Sequence, residues 1–204
     1  MSYPVQLSIV RPGLYDRKQV LLRLLVGIGL GWLGLTSGTL LSMFYVFLPI
    51  IVGITISARS SAYYKTELAP KLWRGFEWLF AFSAYMLFAT DRFPLDHGGN
   101  VRTEIRITSN PTLGSALLRF VTSLPSAVVL GLLGCVSGVF ALFAMLTILI
   151  DRKVPAGILA FQEGVLRWQA RLAAYHASLV DEYPPFSFEH DEIPQAMVRE
   201  RLHT

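Results

Sequence analysis

Arg23 and Arg119 have the strongest claim to chemistry in this chain, because each is the single charge that breaks a long apolar run. Two matched cations near the ends of apolar helices could hold a lipid phosphate or a substrate anion. They could equally snorkel, laying their stems on apolar surface and their heads among lipid headgroups, which is the simpler reading. Asp91 and Asp181 stand at matched positions further on. A carboxylate there can pair with an arginine of the other half, or cap the turn made with the following proline by binding local backbone amides; capping is the simpler reading. Gly27, Gly29, Gly31 and Gly34 have the density of a dinucleotide loop but lack its strand and βαβ context. Gly27 and Gly31 instead have the G-x-x-x-G spacing that lets helices approach closely. His97, His176, His190 and His203 have no metal-site spacing, and Glu189 to Glu192 reads as a solvated acidic tail. Cys135 is the only cysteine, which excludes a disulfide framework, and it reads as a small apolar core residue. No Ser/His/Asp set, zinc motif or phosphate loop stands in its proper context.

The elements that must position these residues are apolar. Of the 204 residues 53% are hydrophobic and only 16% charged, with a mean hydropathy of +0.49, against roughly 25% charged in soluble domains. The deficit falls in two stretches, 20–58 and 113–150, each long enough for two spans of about 17–20 residues. Neither has the length of a signal-peptide core, and the first begins only at Val20.

The chain also repeats itself. Trp78, Tyr85, Asp91 and Pro94 stand 90 residues before Trp168, Tyr175, Asp181 and Pro184, sharing the pattern W-x6-Y-x5-D-x-[FY]-P. Upstream, Leu21-Leu22-Arg23 matches Leu117-Leu118-Arg119, and Val5-x-Leu7-x-Ile9 resembles Thr103-x-Ile105-x-Ile107. Each copy reads as a short strand from its period-two alternation, then an apolar helical hairpin, an amphipathic helix and the D-x-[FY]-P exit. Gly and Ser at Thr36–Gly38 and Gly134–Gly138 mark the hairpin turns. Lipid admits only helices or closed barrels, so the spacing predicts four spans, near 19–36, 38–57, 114–133 and 138–151.

The amphipathic helix is clearest over 155–180. Ile158, Phe161, Val165, Trp168, Leu172, Tyr175 and Leu179 lie on one face, with Gln162, Glu163, Gln169, Arg171, His176 and Ser178 on the other. That pattern predicts a helix lying nearly parallel to the membrane. Its counterpart at 72–89 is more apolar and could be embedded more deeply. The expected hairpin tips carry no Lys or Arg, while Arg11, Arg17, Lys18, Arg59, Lys65, Lys71, Arg74, Arg102, Arg106, Arg152 and Lys153 flank the other ends. By the positive-inside rule both termini and both amphipathic helices face the cytoplasm, and Ser37 and Ser137 face away from it. Two spans per copy make the repeats parallel, related by a pseudo-two-fold axis along the membrane normal. The glycine face of the first helix is the expected interface, with Gly31→Leu expected to weaken it. The expected spans hold no Asp, Glu, His or Lys in their central turns, unlike proton-coupled carriers and ion channels.

The run Gly164-Val165-Leu166-Arg167-Trp168, then Ala173-Ala174-Tyr175, then Asp181-Glu182-Tyr183-Pro184-Pro185-Phe186-Ser187 resembles the bacterial membrane family catalogued as domain of unknown function 4389. Tyr3-Pro4-Val5 also resembles the opening of such proteins. The first copy departs from the pattern, with Phe76-Glu77-Trp78 and Phe93-Pro94-Leu95 and no second proline. The resemblance implies fold and location, and transfers no catalytic residue.

The expectation is therefore an all-α membrane protein of two tandem repeats, each a transmembrane hairpin plus a cytoplasmic-face amphipathic helix, with minor short strands. The repeats span 1–99 and 100–189, and a polar tail spans 190–204. The expected role is a non-catalytic accessory or scaffold subunit of a larger assembly in the bacterial inner membrane. The alternative is a lipid-interacting or small-molecule transport protein using the groove between the repeats. No cofactor, metal or nucleic acid is expected; the partners are membrane lipids and a membrane protein or a second copy. Arg23, Arg119, Trp78, Trp168, Tyr85 and Tyr175 are the candidate contacts.

Overall fold

Two period-two runs become the strands β1 (Val5–Ile9) and β2 (Val101–Ile105), in a computed structural model that describes residues 3–33, 37–95 and 101–188. They pair antiparallel, with Val5 opposite Ile105, Leu7 opposite Thr103 and Ile9 opposite Val101. The helices follow local signals. Asp16 opens α1 (Arg17–Trp32) by accepting the N–H of Lys18 at 3.0 Å. After α2 (Ser37–Ala58), α3 (Ser61–Tyr63) runs through a π-helical turn (Tyr64–Leu68) into α4 (Ala69–Met86). Thr112 and Ser115 form a reciprocal capping box at the start of α5 (Leu113–Thr122). Then come α6 (Leu124–Asp151) and α7 (Ala156–His176).

The second expected hairpin is corrected. Pro125 lacks an N–H and its ring excludes the preceding turn, which costs about 3 kcal/mol inside a helix against about 1 for glycine. The chain therefore breaks at Ser123, beside the proline, and runs straight through Gly134 to Gly138. Ser137 is no hairpin tip: it is 1% exposed, and its carbonyl accepts Gln162 Nε2 at 2.8 Å. The 10 residues of α5 rise only ~15 Å, half of a ~30 Å bilayer core. Of the first expected turn, Thr36 lies outside the described residues, and Ser37 and Gly38 open α2. Among the described residues α6 is the one helix long and apolar enough to cross a membrane, and only 17% of its most apolar window is buried. Cys135 lies exposed on this helix rather than in a core.

The amphipathic reading of α7 is corrected too. Gln162, Glu163, Arg171 and His176, assigned to a polar outer face, are as buried as Val165, Leu166 and Leu172. A helix buried all round is a core element. The exit segment covers part of its outer side: Phe186 and Phe188 pack edge-on against Trp168, and Arg167 donates to the carbonyl of Phe188 at 2.8 Å.

The halves share one interior. Tyr3, Val5 and Leu7 of the first half cluster with Leu166, Ala170 and Ala174 of α7. Gly53 of α2 meets Leu113, while Tyr45 meets Phe120 and Ser123, so α2 and α5 run antiparallel. Arg17 donates to the Ile150 carbonyl at 2.8 Å and Arg152 Nε to the Tyr15 carbonyl at 3.0 Å, which sets the start of α1 against the end of α6. Each leading helix thus packs on the second helix of the other half.

The expected glycine interface is corrected. Among the described residues a Cβ at Gly31 would meet nothing within 4 Å, and one at Gly27 would only touch Met86 of α4. Close approach is needed instead at Gly164, where a Cβ would sit 2.8 Å from Phe188. Gly164→Ala should destabilise the fold by about 1–3 kcal/mol through this overlap, whereas Gly31→Leu should stay within about 0.5 kcal/mol of the parent. Thermal unfolding of both variants in one detergent checks this. An unmoved melting temperature for Gly164→Ala would show that the exit segment is not seated there.

Candidate functional site

Arg23 and Arg119 are 3% and 6% exposed, so neither snorkels to a headgroup nor presents its charge to an outside anion. Both turn inward to the end of the buried helix of their own half. Arg23 donates to the carbonyls of Tyr85 at 2.8 Å and Thr90 at 2.6 Å, and to Asp91 at 3.2 Å. Arg119 donates to the carbonyls of Tyr175 at 2.9 Å and Val180 at 2.5 Å, and to Asp181. Each guanidinium also lies over the ring of its tyrosine, 4.3 Å from Tyr85 and 4.9 Å from Tyr175. Asp91 and Asp181 thus pair with the arginine of their own half. Pairing across the halves is not what forms, and Asp91 accepts a remote backbone N–H, that of Asp16.

The turns held this way match bond for bond. Leu87, Phe88 and Ala89 donate N–H groups to Ser83, Tyr85 and Ala84; 90 residues on, Ala177, Ser178 and Leu179 donate to Ala173, Tyr175 and Ala174. Phe88 and Ser178 both adopt the left-handed conformation, φ 60° and 57°, which closes a helix C-terminus. Tyr85 packs edge-on against Phe93 at 5.2 Å, and Tyr175 against Tyr183 at 5.3 Å. The tryptophans differ. Trp78 is 45% exposed and donates to the Pro94 carbonyl, while Trp168 is 4% exposed beneath the exit segment. Of the six candidate contacts only Trp78 reaches the surface; Tyr85 and Tyr175 are buried.

A cavity of about 410 Å³ opens between the halves. Its walls include Tyr45 and Leu48 of α2, Phe76 of α4, Leu130 and Gly131 of α6, and Gln169 and His176 of α7. Among the described residues lining it none is charged. His176 stacks on Tyr45 with ring centroids 4.1 Å apart and planes 9° from parallel. Its Nε2 faces the Tyr45 carbonyl at 2.5 Å. A carbonyl only accepts, so Nε2 carries the proton and Nδ1 accepts from the Ser123 hydroxyl at 2.8 Å. Burial pushes the imidazole below its ordinary value and favours this neutral form. Ser123 is fully buried, and the Tyr45 hydroxyl meets its Oγ at 2.7 Å. The Ser–His pair therefore ties three elements together and offers no accessible nucleophile. The sequence pattern missed this pair because its members lie 53 residues apart. It also missed Gln169, whose polar type suggested solvent. His97, His190 and His203 lie outside the described residues. Among those described no group of three metal-ligating side chains forms.

Residues 114–187 match the family model described as "Domain of unknown function (DUF4389)", which supports the resemblance for one copy. The matched stretch contains Arg119, Trp168, Tyr175 and Asp181, one complete arginine-held turn. No curated protein and no solved structure matches the chain.

Arg23→Ala and Arg119→Ala should each cost about 3–5 kcal/mol, because buried carbonyls and a carboxylate lose their donor. Lysine should not rescue either, lacking the forked donors. Asp91→Ala should cost more than Asp181→Ala, since their side chains are 13% and 57% exposed. Chemical or thermal unfolding ranks the variants, and equal losses for the two aspartates would refute the ranking. His176 supplies a pH test. Its folded form resists protonation, so the unfolded chain binds the extra proton and stability falls as pH drops below about 6.5. The slope approaches about 1.4 kcal/mol per pH unit for one proton. Melting temperatures of the parent and His176→Asn between pH 7.5 and 5.5 should converge toward low pH; parallel curves would remove His176 as the source.

Proposed function

We propose that this chain is an integral membrane protein made of two copies of one module, and that it works without catalysis by sheltering an apolar molecule between them. The cavity is the observation that carries the reading. It is apolar, both halves wall it, and its size falls in the ~300–1,000 Å³ range of small-molecule sites. Its polar neighbours are engaged, Ser123 with His176 and His176 Nε2 with the Tyr45 carbonyl.

Membrane residence is supported by α6, an apolar helix mostly bare of protein contacts, and by the exposed Leu25, Ile28 and Trp32 of α1. Duplication is supported by the matched turns and arginines. The antiparallel courses of α2 with α5 and of α1 with α6 fit a pseudo-two-fold axis along the membrane normal, since an in-plane axis would make these pairs parallel. The contacts from Arg17 and Arg152 gather basic residues at one end of α1 and α6. By the positive-inside rule that end faces the cytoplasm, in the inner membrane of a bacterium if the family resemblance carries over.

An accessory or scaffold subunit is the second reading, favoured by the bare face of α1. A bilayer covers such a face as well as a partner protein does, so the cavity decides between them. Native mass spectrometry of the full chain, extracted in mild detergent, tests this. The expected result is a chain carrying a lipid-mass adduct in stoichiometric amount. A stoichiometric protein partner on a chain without such an adduct would overturn it in favour of the scaffold.

A further inference from the structure

We propose that the first part of α2, residues 37–48, is a movable wall of the cavity, hinged at Pro49 and latched shut by Tyr45. The motion rests on the bonds of α2 itself; that it admits an occupant rests on the proposed function.

Pro49 makes the hinge. An α-helical carbonyl takes the N–H four residues on, and Pro49, inside α2, has none to give the carbonyl of Tyr45. The helix is short of one bond where its cavity wall ends: Ser42, Tyr45, Val46 and Leu48 line the cavity, and all four precede the proline. Beyond Pro49 the helix is fixed. Val52 is fully buried, and a Cβ at Gly53 would sit 3.1 Å from Leu113 of α5. Ahead of Pro49, Met43, Val46 and Phe47 are exposed. The end of α1, which leads toward this segment, is bare as well. Ile28, Trp32 and Leu33 are exposed, and among the described residues a Cβ at Gly29 or Gly31 would meet nothing within 4 Å. A rise of 1.5 Å per residue puts Met43 about 9 Å from Pro49, so a swing of about 20–30° carries it about 3–5 Å.

Tyr45 makes the latch. His176 Nε2 donates to its carbonyl at 2.5 Å, so a side chain of α7 replaces the missing backbone donor. The Tyr45 hydroxyl meets Ser123 Oγ at 2.7 Å and the Phe120 carbonyl at 3.1 Å. Its ring stacks on His176 with centroids 4.1 Å apart. These contacts join the wall to the ends of α5 and α7, which Arg119 already ties together. Releasing Tyr45 breaks no backbone bond of α2, because its carbonyl has no N–H at position 49 to lose. The wall therefore parts from α5 and α7 at the cost of side-chain contacts alone.

Double electron–electron resonance on the full chain in detergent tests this, in a Cys135→Ser background that removes the exposed native thiol. Spin labels on Met43→Cys and Leu142→Cys report the movable part, and labels on Ile54→Cys and Leu142→Cys report the fixed part; all three positions are exposed. The parent should give one narrow distance for each pair. His176→Leu should add a population shifted by about 3–5 Å for the first pair and leave the second pair as in the parent. Adding Pro49→Ala, which returns the missing N–H, should remove that population. If His176→Leu does not fold, the double variant should fold and give the parent distances. Unchanged distances in His176→Leu, equal changes in both pairs, or a shifted population that Pro49→Ala leaves in place overturn the hinge, as does a double variant that does not fold. None of these results touches the proposed function, which stands or falls on the bound adduct.

Discussion

A helix that ends inside a protein leaves its last carbonyls without intrahelical partners, and buried carbonyls must find donors. α7 ends in the interior, and carbonyls at and beyond its end are met by particular side chains and backbone groups. Arg119 takes the carbonyls of Tyr175 and Val180, the Tyr64 hydroxyl takes that of Ala177, Ser109 Oγ takes that of Ser178, and the N–H groups of Thr108 and Ser109 take that of Leu179. A cation at this position also opposes the negative end of the helix dipole. Arg23 does the same for α4. These two arginines must lie on helices that pass the ends of α4 and α7, which fixes where α1 and α5 run.

The remaining architecture follows from that constraint. With α1 tied to α4 and α5 tied to α7, the remaining contacts cross between the halves: the start of α1 meets the end of α6, α2 lies along α5, and β1 lies on α7. The π-helical turn before α4 is part of the same arrangement, because it aims Tyr64 across the molecule at the end of α7. The cavity lies where the exchanged parts meet, between α2 and α4 of one half and α6 and α7 of the other. Its existence depends on both halves, and neither half alone would enclose it.

The two halves use one turn in different surroundings. The second carries an exit segment with Pro184, Pro185, Phe186 and Phe188, which lies over Trp168 and needs Gly164 for clearance. Arg167 and Arg171 hold that segment by its carbonyls, and Glu163 joins Arg167 to Arg11. The run Gly164 to Trp168 is therefore a docking surface for the residues that follow Asp181. The first half lacks the second proline and leaves Trp78 half exposed against Pro94.

Much of this was legible in the residues. The W-x6-Y-x5-D-x-[FY]-P spacing determined two helices with matched ends and matched exit turns, because a constant spacing repeats local hydrogen bonds whatever surrounds them. Period-two alternation marked the strands, and the apolar runs marked α1, α2 and α6. The misreadings came where local signals compete. Pro125 outranked the glycines at 134–138, since a proline removes a hydrogen bond and a glycine does not. The polar side of α7 looked solvated because periodicity reports residue type and not the neighbour; Arg11, Ser137, Ser123 and Tyr45 supply partners from 25 to 152 residues away. The direction of Arg23 and Arg119 was likewise open in one dimension. A lone arginine in an apolar run serves a headgroup, an anion or a buried helix end equally well, and only the three-dimensional placement of α4 and α7 decides that it is the last.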